Sequence, residues 1–517
     1  MRQRCRVPCF ALSVLALLCL RPTGFAQAPA PTFEPATIDA IMQEALRAWG
    51  APGAAIVIVK GDEVLYARGY GVKEAGGSQQ VTAETLFAIA STSKAFTTTA
   101  LAMLVDDGKL RWDDPVSKHL DFFHLEDPLA DRQVTLRDLV THRTGLSRHD
   151  LLWLGAPWSR EEIIRRIGFV KATQPFRSAY QYQNIMYLTA GYTVGKVSGG
   201  TWEEFTQKRL FDPLGMKGAN FSSKDAEKAA DHATPHYKSG AGRATPTAWR
   251  NIDNVGPAGS INAGVRDLGK WIRFQLGDGT FEGKRLLSTA RLNELHAPQM
   301  VIPLDGSTGV ASFTRAMNPD TNMMSYGLGW VVQDYRSQLM VSHGGSIDGF
   351  RSQVALLPKH KYGMAILSNL GRTSLPEAVR NSVSDALLGL PKKDWNAHFL
   401  GQLEQAEAGD RRREQQTEAK RQKDTKPSRE LSAYVGQFAE PAYGKLEVVL
   451  LGDKLALRWS SFQVNLDHWH YDTYMARGDA LLHNKPVVFT LGADGEVEKL
   501  SFLDQEFKRQ KPKAGTQ

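Results

Sequence analysis

The chain has 517 residues, of which 63 are Lys or Arg and 55 are Asp or Glu, so its formal net charge is +8 at pH 7. Hydrophobic residues make up 42% of the chain and aromatic residues 9%, which excludes an intrinsically disordered protein. The length allows two to four domains with a sizeable core. The 3 cysteines are too few for a disulfide-rich scaffold or for a zinc site of four thiolates.

Residues 1–26 have the pattern of a secretory signal peptide. Arginines near the start precede a largely apolar run, Cys9–Leu20, and the small residues Gly24 and Ala26 follow it. All three cysteines and four arginines lie in this segment, which has no acidic residue. We therefore predict a secreted or periplasmic protein, cleaved near Ala26, whose mature chain has no cysteine and a net charge of +4.

The mature chain is expected to bind no nucleic acid and to have no stable insertion in a membrane. Its net charge of +4 is ordinary for the remaining 491 residues. The apolar run of the leader has 12 residues, whereas a membrane-spanning helix needs about 20.

The hydrophobic pattern of the first part of the chain predicts an α+β fold with an antiparallel sheet flanked by helices. Strand-like runs at 54–59 and 63–70 form a predicted hairpin, and further strand-like runs lie between residues 326 and 369. Helical spacing of apolar residues predicts helices over 91–104 and 184–197. The sheet is therefore expected to join segments from both ends of this region.

Changes in composition divide the mature chain into three parts. Residues 27–402 carry the α+β pattern, and residues 403–430 are charged, mixed in sign and nearly without aromatic residues, which is typical of a solvated helical linker. In residues 431–517 the alternation of apolar and polar residues returns, with a hairpin signal at Gly452–Asp453. We predict a small all-β, barrel-like domain in this last part.

The sharpest chemical feature is the run Ser91-Thr92-Ser93-Lys94. On a helix, Ser91 and Lys94 lie one turn apart on the same face. A neutral lysine at that distance can take the proton of the serine hydroxyl, and desolvation in a closed cleft favours the neutral form. At a helix start, free N–H groups favour a developing oxyanion. A Ser-x-x-Lys pattern alone arises by chance about twice in a chain of this length.

Two further motifs, Tyr182-Gln183-Asn184 and His343-Gly344-Gly345, are each the only example of their pattern in the chain. Together with the serine–lysine pair, in this order and at these separations, they resemble the serine β-lactamase-like, penicillin-recognising family, in particular its class C-type, esterase and peptidase branch. The resemblance covers residues 36–395, and the tail from residue 431 resembles the lipocalin-like domain appended to some members. Supporting matches are LVTHRTGL at Leu139–Leu146, DPLGM at Asp212–Met216 and YGLGW at Tyr326–Trp330.

The resemblance implies acyl transfer in two steps, without a metal or any other cofactor. Ser91 is the expected acyl-forming nucleophile, and Lys94 helps to deprotonate it. Tyr182 is expected to pass the proton to the leaving group and later to activate water.

The other residues carried over from the family orient these groups or the substrate. Asn184 is expected to orient Lys94 and a substrate amide, and His343 to support Tyr182 electrostatically or by a hydrogen bond. Gly345 and Ser346 are the remaining expected substrate-binding residues. The resemblance places the oxyanion hole at the backbone N–H groups of Ser91 and Ser346.

The third motif departs from the form that β-lactamases and cell-wall peptidases usually have, which is a Lys followed by a hydroxyl residue. This chain has His343 and Gly344 at those places. A cationic lysine suits a substrate carboxylate, whereas a histidine is mostly neutral at pH 7. Because the His form is common in the family's esterases, aminopeptidases and amide hydrolases, we expect a serine hydrolase for small peptides or esters. D-residue-containing or linearised cyclic peptides are the candidate substrates.

Two other functions remain open at this stage. One is a β-lactamase or D-Ala-D-Ala carboxypeptidase, and the other is a non-catalytic module that binds cell-wall fragments. Side chains of 151–158 and 318–325 are expected to line the mouth of the cleft. The C-terminal domain is expected either to cap the cleft or to mediate assembly into an oligomer, two roles that the sequence does not separate.

Overall fold

The computed structural model describes residues 33–238 and 242–511, so the predicted signal peptide at 1–26 lies outside the described residues. An eight-stranded antiparallel sheet with helices on both faces is followed by a closed barrel of eight strands. The predicted α+β class with a small all-β C-terminal domain is confirmed. No helix in the described part of the chain is both long and apolar enough to cross a membrane.

The helices include long core helices and several single turns. In chain order the α-helices of the described residues are α1 (Pro35–Trp49), α2 (Ser93–Asp106), α3 (Pro128–Gln133), α4 (Leu136–Val140), α5 (Arg160–Ile167), α6 (Asn184–Ser198), α7 (Trp202–Thr206), α8 (Asp212–Leu214), α9 (Ser223–Lys228), α10 (Gly256–Gly259), α11 (Val265–Leu276), α12 (Thr289–Leu295), α13 (Leu375–Leu388), α14 (Trp395–Ala419) and α15 (Leu431–Tyr434). The predicted helix over 184–197 is confirmed as α6.

The strands belong to the large sheet, to the barrel and to three short pairs. In chain order they are β1 (Gly53–Lys60), β2 (Glu63–Gly71), β3 (Phe87–Ala88), β4 (His236–Lys238), β5 (Ala244–Pro246), β6 (Asn262–Ala263), β7 (Thr280–Phe281), β8 (Lys284–Arg285), β9 (Met300–Val301), β10 (Met324–Tyr326), β11 (Val331–Tyr335), β12 (Gln338–Ile347), β13 (Phe350–Leu357), β14 (Tyr362–Ser368), β15 (Gly436–Glu440), β16 (Gly444–Leu451), β17 (Lys454–Trp459), β18 (Phe462–His470), β19 (Thr473–Arg477), β20 (Pro486–Leu491), β21 (Val497–Phe502) and β22 (Gln505–Arg509).

The large sheet joins the two ends of the first region, as the sequence predicts. Its strand order is β2-β1-β14-β13-β12-β11-β10-β9, and β1 pairs antiparallel with β14 over the register from Ala54 opposite Ser368 to Lys60 opposite Tyr362. The predicted N-terminal hairpin is confirmed as β1 and β2. The C-terminal strands of the region therefore lie in the middle of the sheet.

Both faces of the sheet are buried, because helices cover each of them. On β1, Ile56 and Ile58 point into the core shared with α1 and α13, whereas Val57 and Val59 point into the core shared with α2 and α11. A strand that alternates between two cores needs apolar residues at every position, which explains the unbroken run Ala54–Val59. The nucleophile candidate lies on the α2 side of this sheet.

The charged segment between the two units is largely helical. The helix α14 has 25 residues and covers residues 403–419 of the predicted linker 403–430. Only Trp395 and Phe399, near its start, are buried. The barrel β15–β22 follows.

The barrel packs directly on the first unit. Tyr443 Oη lies 2.9 Å from Nδ1 of His149, and Ser460 Oγ donates a hydrogen bond of 3.1 Å to the carbonyl of Gly155. Arg166 donates a hydrogen bond of 3.0 Å to the carbonyl of Ala442. The barrel thus contacts the part of the first unit between His149 and Arg166.

Candidate active site

Ser91 lies in a short 3₁₀ turn, Ala90–Thr92, directly before α2. The predicted helix over 91–104 is therefore confirmed in its body, but its regular α-helical part begins at Ser93. Every residue of α2 from Ser93 to Leu104 is buried, so α2 is a central core helix that fixes the turn from behind. The hydroxyl of Ser91 faces a cavity of about 420 Å³.

Lys94 is completely buried beneath Ser91. Its Nζ lies 3.1 Å from Ser91 Oγ and 2.8 Å from both Asn184 Oδ1 and the carbonyl oxygen of Ala258. Burial lowers the pKa of Lys94 well below its usual value, and the positive charge of Arg148 lowers it further. A neutral amine can donate to the two carbonyl-type oxygens and accept the proton of the Ser91 hydroxyl, which is the geometry of a general base.

Tyr182 lies over the lysine, with Lys94 Nζ 4.8 Å from the centre of its ring. Burial raises the pKa of Tyr182 to about 12, so the phenol keeps its proton at neutral pH. Asn184, the first residue of α6, accepts from Lys94 through Oδ1 and donates from Nδ2 to Asp150 Oδ1 at 2.9 Å. Asp150 therefore fixes which end of the Asn184 amide faces the lysine.

His343 is buried on β12 and neutral, since burial lowers its pKa to about 3 and the nearby Lys94 adds to the effect. Its Nδ1 lies 2.7 Å from the carbonyl oxygen of Gly344 and must donate there, so Nε2 accepts from the Tyr326 hydroxyl at 2.9 Å. The rings of His343 and Tyr182 lie 6.5 Å apart. Of the two expected kinds of support for Tyr182, the hydrogen bond from His343 is therefore wrong, because Tyr326 occupies the available nitrogen. Electrostatic support stays a prediction.

Gly345 and Ser346 both line the cavity, but Gly345 also has a spatial role. A Cβ at Gly345 would lie 2.2 Å from the carbonyl oxygen of Ile89 and 2.2 Å from Ser352 Oγ. Only glycine lets β12 approach the turn that carries Ser91 so closely.

The structure brings the predicted residues together around one cavity. Ser91, Tyr182, His343, Gly345 and Ser346 line it, while Lys94 and Asn184 are buried beneath its floor. Within the expected mouth segment 318–325, Asn318 and Met324 also line the cavity. The other expected mouth segment, 151–158, does not line it and contacts the barrel through Gly155 and Trp158, so that expectation is wrong.

Four residues at the site were not singled out from the sequence. Arg148 lines the cavity, lies 5.0 Å from the centre of the Tyr182 ring and pairs with Asp150 at 2.7 Å. The buried His142 ring lies 4.4 Å from that of Tyr182 and 4.7 Å from that of Tyr326. His142 and Tyr326 lie inside the matched segments LVTHRTGL and YGLGW, which are the signals that point to them.

Replacing Gly345 with Ala is expected to impair both folding and the candidate site. The added methyl group must displace β12 or the Ser91 turn, and such overpacking costs about 1–3 kcal/mol in the free energy of unfolding. Chemical denaturation and the rate of Ser91 labelling by a fluorophosphonate measure the two effects.

Gly401→Ala is the matched control for Gly345→Ala. Gly401 lies inside α14, and no atom lies within 4 Å of where its Cβ would be. The substitution is expected to stabilise the protein by about 0.5–1 kcal/mol, since glycine is unfavourable inside a helix. Equal behaviour of the two variants would contradict the close approach of β12.

Comparisons with known proteins agree with this geometry. Residues 38–387 match the family model described as Beta-lactamase, and residues 420–515 match a domain of unknown function, DUF3471. The chain is 28% identical over 439 residues to Unguisins hydrolase ungD of Aspergillus violaceofuscus (strain CBS 115571), a match that covers 79% of this chain and 75% of the relative.

Two solved structures share the fold. The octameric penicillin-binding protein homologue from Pyrococcus abyssi aligns with a TM-score of 0.59 and 21% identity, over 92% of this chain and 100% of that one. The D-amino acid amidase from Ochrobactrum anthropi SV3, complexed with L-phenylalanine amide, aligns with a TM-score of 0.56 and 23% identity, over 68% and 97% of the two chains.

Proposed function

Since the chain belongs to the Beta-lactamase family of serine hydrolases, we propose that it is an exported peptidase or esterase that forms an acyl-enzyme on Ser91. The observation that carries the proposal is the buried Lys94 amine, 3.1 Å from Ser91 Oγ and held by two oxygen acceptors. Burial in this arrangement favours the uncharged amine beside the nucleophile, and no other group needs to move for the proton to leave Ser91.

In the acylation step, Lys94 takes the hydroxyl proton while Ser91 Oγ attacks the scissile carbonyl carbon. The negative charge on the carbonyl oxygen is stabilised by the backbone N–H groups of Ser91 and Ser346. The proton passes through Tyr182 to the leaving amine or alcohol as the carbonyl carbon–leaving group bond breaks. Tyr182 suits this acid role because its high pKa keeps the phenol protonated.

In the second step, water hydrolyses the acyl-enzyme. As water attacks the acyl carbon, Tyr182 gives its phenol proton to the neutral Lys94 amine and takes a proton from the water. Lys94 then gives a proton to the Ser91 oxygen as the bond between that oxygen and the acyl carbon breaks. The neutral His343 holds Tyr326 by a hydrogen bond and adds no charge to the cleft.

The proposed substrates are small peptides, amides or esters, including D-residue-containing and linearised cyclic peptides. The names of two similar proteins support this class, since one is an unguisins hydrolase and the other a D-amino acid amidase. A neutral His343 in place of a cationic lysine also favours such substrates over penicillins. Export is proposed from the N-terminal signal pattern, and the C-terminal barrel is proposed as the surface for any oligomer.

The test is to label the full mature chain with a fluorophosphonate, to identify the modified residue by mass spectrometry, and to measure turnover of a substrate panel. The panel contains p-nitrophenyl butyrate, D- and L-aminoacyl p-nitroanilides and nitrocefin. We expect an adduct on Ser91 and turnover of the ester or the anilides. An adduct on another residue would contradict the proposal.

The same panel separates the two alternative functions. Nitrocefin turnover faster than that of every ester and anilide would indicate a β-lactamase, and the peptidase or esterase assignment would fall. Binding of muropeptides without any acyl adduct would indicate a non-catalytic binding module.

A further inference from the structure

The cavity that begins at Ser91 does not end on the same side of the sheet. Beyond Ser342, β12 has lost its pairing with β11 and pairs only with β13. Around this free edge the cavity reaches the opposite face of the sheet, where α13 packs. The two ends of the cavity are therefore built from different elements, and none of the residues of its far end takes part in the chemistry described above.

Arg351 and Gln353 line this far end from β13. Side chains two residues apart on a strand share a face, and the next in this series, Ala355, packs in the core with α1 and α13. Ser352 points the other way and donates a hydrogen bond of 2.7 Å to the carbonyl of Ile89, next to the nucleophile turn. The guanidinium of Arg351 is thus separated from Ser91 by the thickness of the sheet, except along the cavity.

The first turns of α13 supply the other wall, with Glu377 and Arg380. Arg380 is only 6% exposed and uses Nε for a hydrogen bond of 2.9 Å to Asn381 Oδ1. Its terminal nitrogens make no hydrogen bond to any residue that the structure describes. Buried guanidinium groups normally have their donors satisfied, so free donors that face a cavity are suited to a ligand.

Arg351 and Glu377 each have a buried polar atom without a hydrogen bond. Arg351 Nε and Glu377 Oε2 are buried atoms with no hydrogen bond, and neither residue forms an ion pair within the described chain. Burial lowers the pKa of both arginines and raises that of Glu377, while the opposite charges of Glu377 and of the two arginines partly offset these shifts. With two guanidiniums and one carboxyl group, the far end carries an excess of positive charge.

Gly344 connects this far end to the catalytic end. Its Cβ position lies 3.0 Å from Gln353 Oε1 and 3.8 Å from Glu377 Oε1, so a side chain there would fill the passage. The chain lacks a cation in its third motif, where it has His343 and Gly344. It has two arginines on the far side of that same strand, the buried Arg380 and the half-buried Arg351.

We propose that Arg351 and Arg380 form a carboxylate-binding subsite, so that the enzyme prefers substrates with an anionic group beyond the apolar part that occupies the cavity. The inference rests on the proposed function, because it assigns a substrate class to the same cleft. Phe313, Met317 and Phe399 supply apolar lining of the cavity. The carboxylate is either on the acyl part of the substrate or on its leaving group.

The test uses pairs of substrates that differ only in a carboxylate or a carboxamide. In one arm, p-nitrophenyl monoesters of dicarboxylic acids from succinate to sebacate are compared with their ω-amides. In the other arm, hippuryl esters of hydroxy acids are compared with the corresponding amides. We expect kcat/KM to favour the acid at least tenfold in one arm, at the chain length that reaches the arginines.

Variants then assign the preference to the subsite. Arg380→Gln is expected to lower the acid-to-amide ratio at least tenfold, because a charge-assisted hydrogen bond is lost. Glu377→Gln is expected to raise the ratio several-fold, a change that damage to the fold would not produce. Arg411→Gln, at an exposed arginine of α14, is the control and should keep the ratio.

The outcomes separate the subsite from the proposed function. Suppose that Ser91 is acylated and the carboxamide-bearing substrates are hydrolysed, but the ratio of kcat/KM for the acid to that for the amide is near one in both arms. The subsite is then overturned and the proposed function stands. A ratio that survives in Arg380→Gln also overturns the subsite. If no substrate acylates Ser91, the proposed function itself fails. Should Arg380→Gln not fold, the wild-type protein is labelled with the fluorophosphonate in the presence of a dicarboxylate or of the matching diamide. Slower labelling with the dicarboxylate supports the subsite, and equal labelling rates overturn it.

Discussion

Ser91→Ala is expected to abolish hydrolysis, with kcat reduced by on the order of 10³-fold or more. The alanine keeps the 3₁₀ turn and α2, so binding of substrate in the cavity should persist while no acyl bond can form. Lys94 would then be a neutral base with no hydroxyl to deprotonate. Turnover of p-nitrophenyl butyrate, together with intact-mass analysis after fluorophosphonate treatment, measures the effect.

Ser93→Ala is the matched control for this prediction. Ser93 lies in the same short segment, but its hydroxyl is buried and accepts a hydrogen bond of 3.2 Å from the backbone N–H of Ile261. This variant should lose some stability and still be labelled on Ser91. Unchanged hydrolysis in Ser91→Ala, or loss of labelling only in Ser93→Ala, would refute the assignment of the nucleophile.

Lys94→Met is expected to lower kcat/KM by about 10²–10⁴-fold, the usual contribution of a positioned general base. The methionine fills a similar volume but cannot accept a proton. Lys94→Arg should be at least as inactive at every pH, since a guanidinium stays protonated. Exposed Lys109→Met serves as the control, with activity near that of the wild type.

The pH profile of the wild type follows from the protonation state that Lys94 needs. Only the neutral amine is active, so kcat/KM should rise with pH through the lowered pKa of Lys94 and then stay level. His343 cannot cause this acidic limb above pH 4, because its pKa is about 3. Tyr182, with a pKa of about 12, should cause no alkaline fall in the usual working range. If Lys94→Met keeps a kcat/KM near that of the wild type and the same rise of kcat/KM with pH, the role of Lys94 is contradicted.

Local patterns in the sequence were enough to predict the elements that carry the site. Helical spacing after Ser91 predicted the core helix α2, and the runs at 54–59 and 63–70 predicted the hairpin β1–β2. These patterns are readable because a helix or a hairpin is formed by residues close together in the chain. The signal peptide and the cysteine-free mature chain remain predictions, since residues 1–26 lie outside the described structure.

Side-chain partners across long separations could not be read in the same way. The segment 151–158 looked like part of the cleft, but a barrel some 300 residues later covers it, as the contact of Ser460 with Gly155 shows. His343 was expected to support Tyr182, but Tyr326, from β10, takes its hydrogen bond. Neither outcome has a signal in local periodicity, because both depend on which distant segments meet.

The sequence by itself determined the family and the order of the motifs, because each of these is a property of residue identity and spacing. The tertiary structure alone decided that the pKa of Lys94 is lowered, because only folding buries it between Asn184 and the carbonyl of Ala258, 90 and 164 residues away. It also decided that the cleft continues past Gly344 to arginines on β13 and α13. Desolvation and cavity shape are set by contacts between distant segments, so they emerge only when the chain is folded.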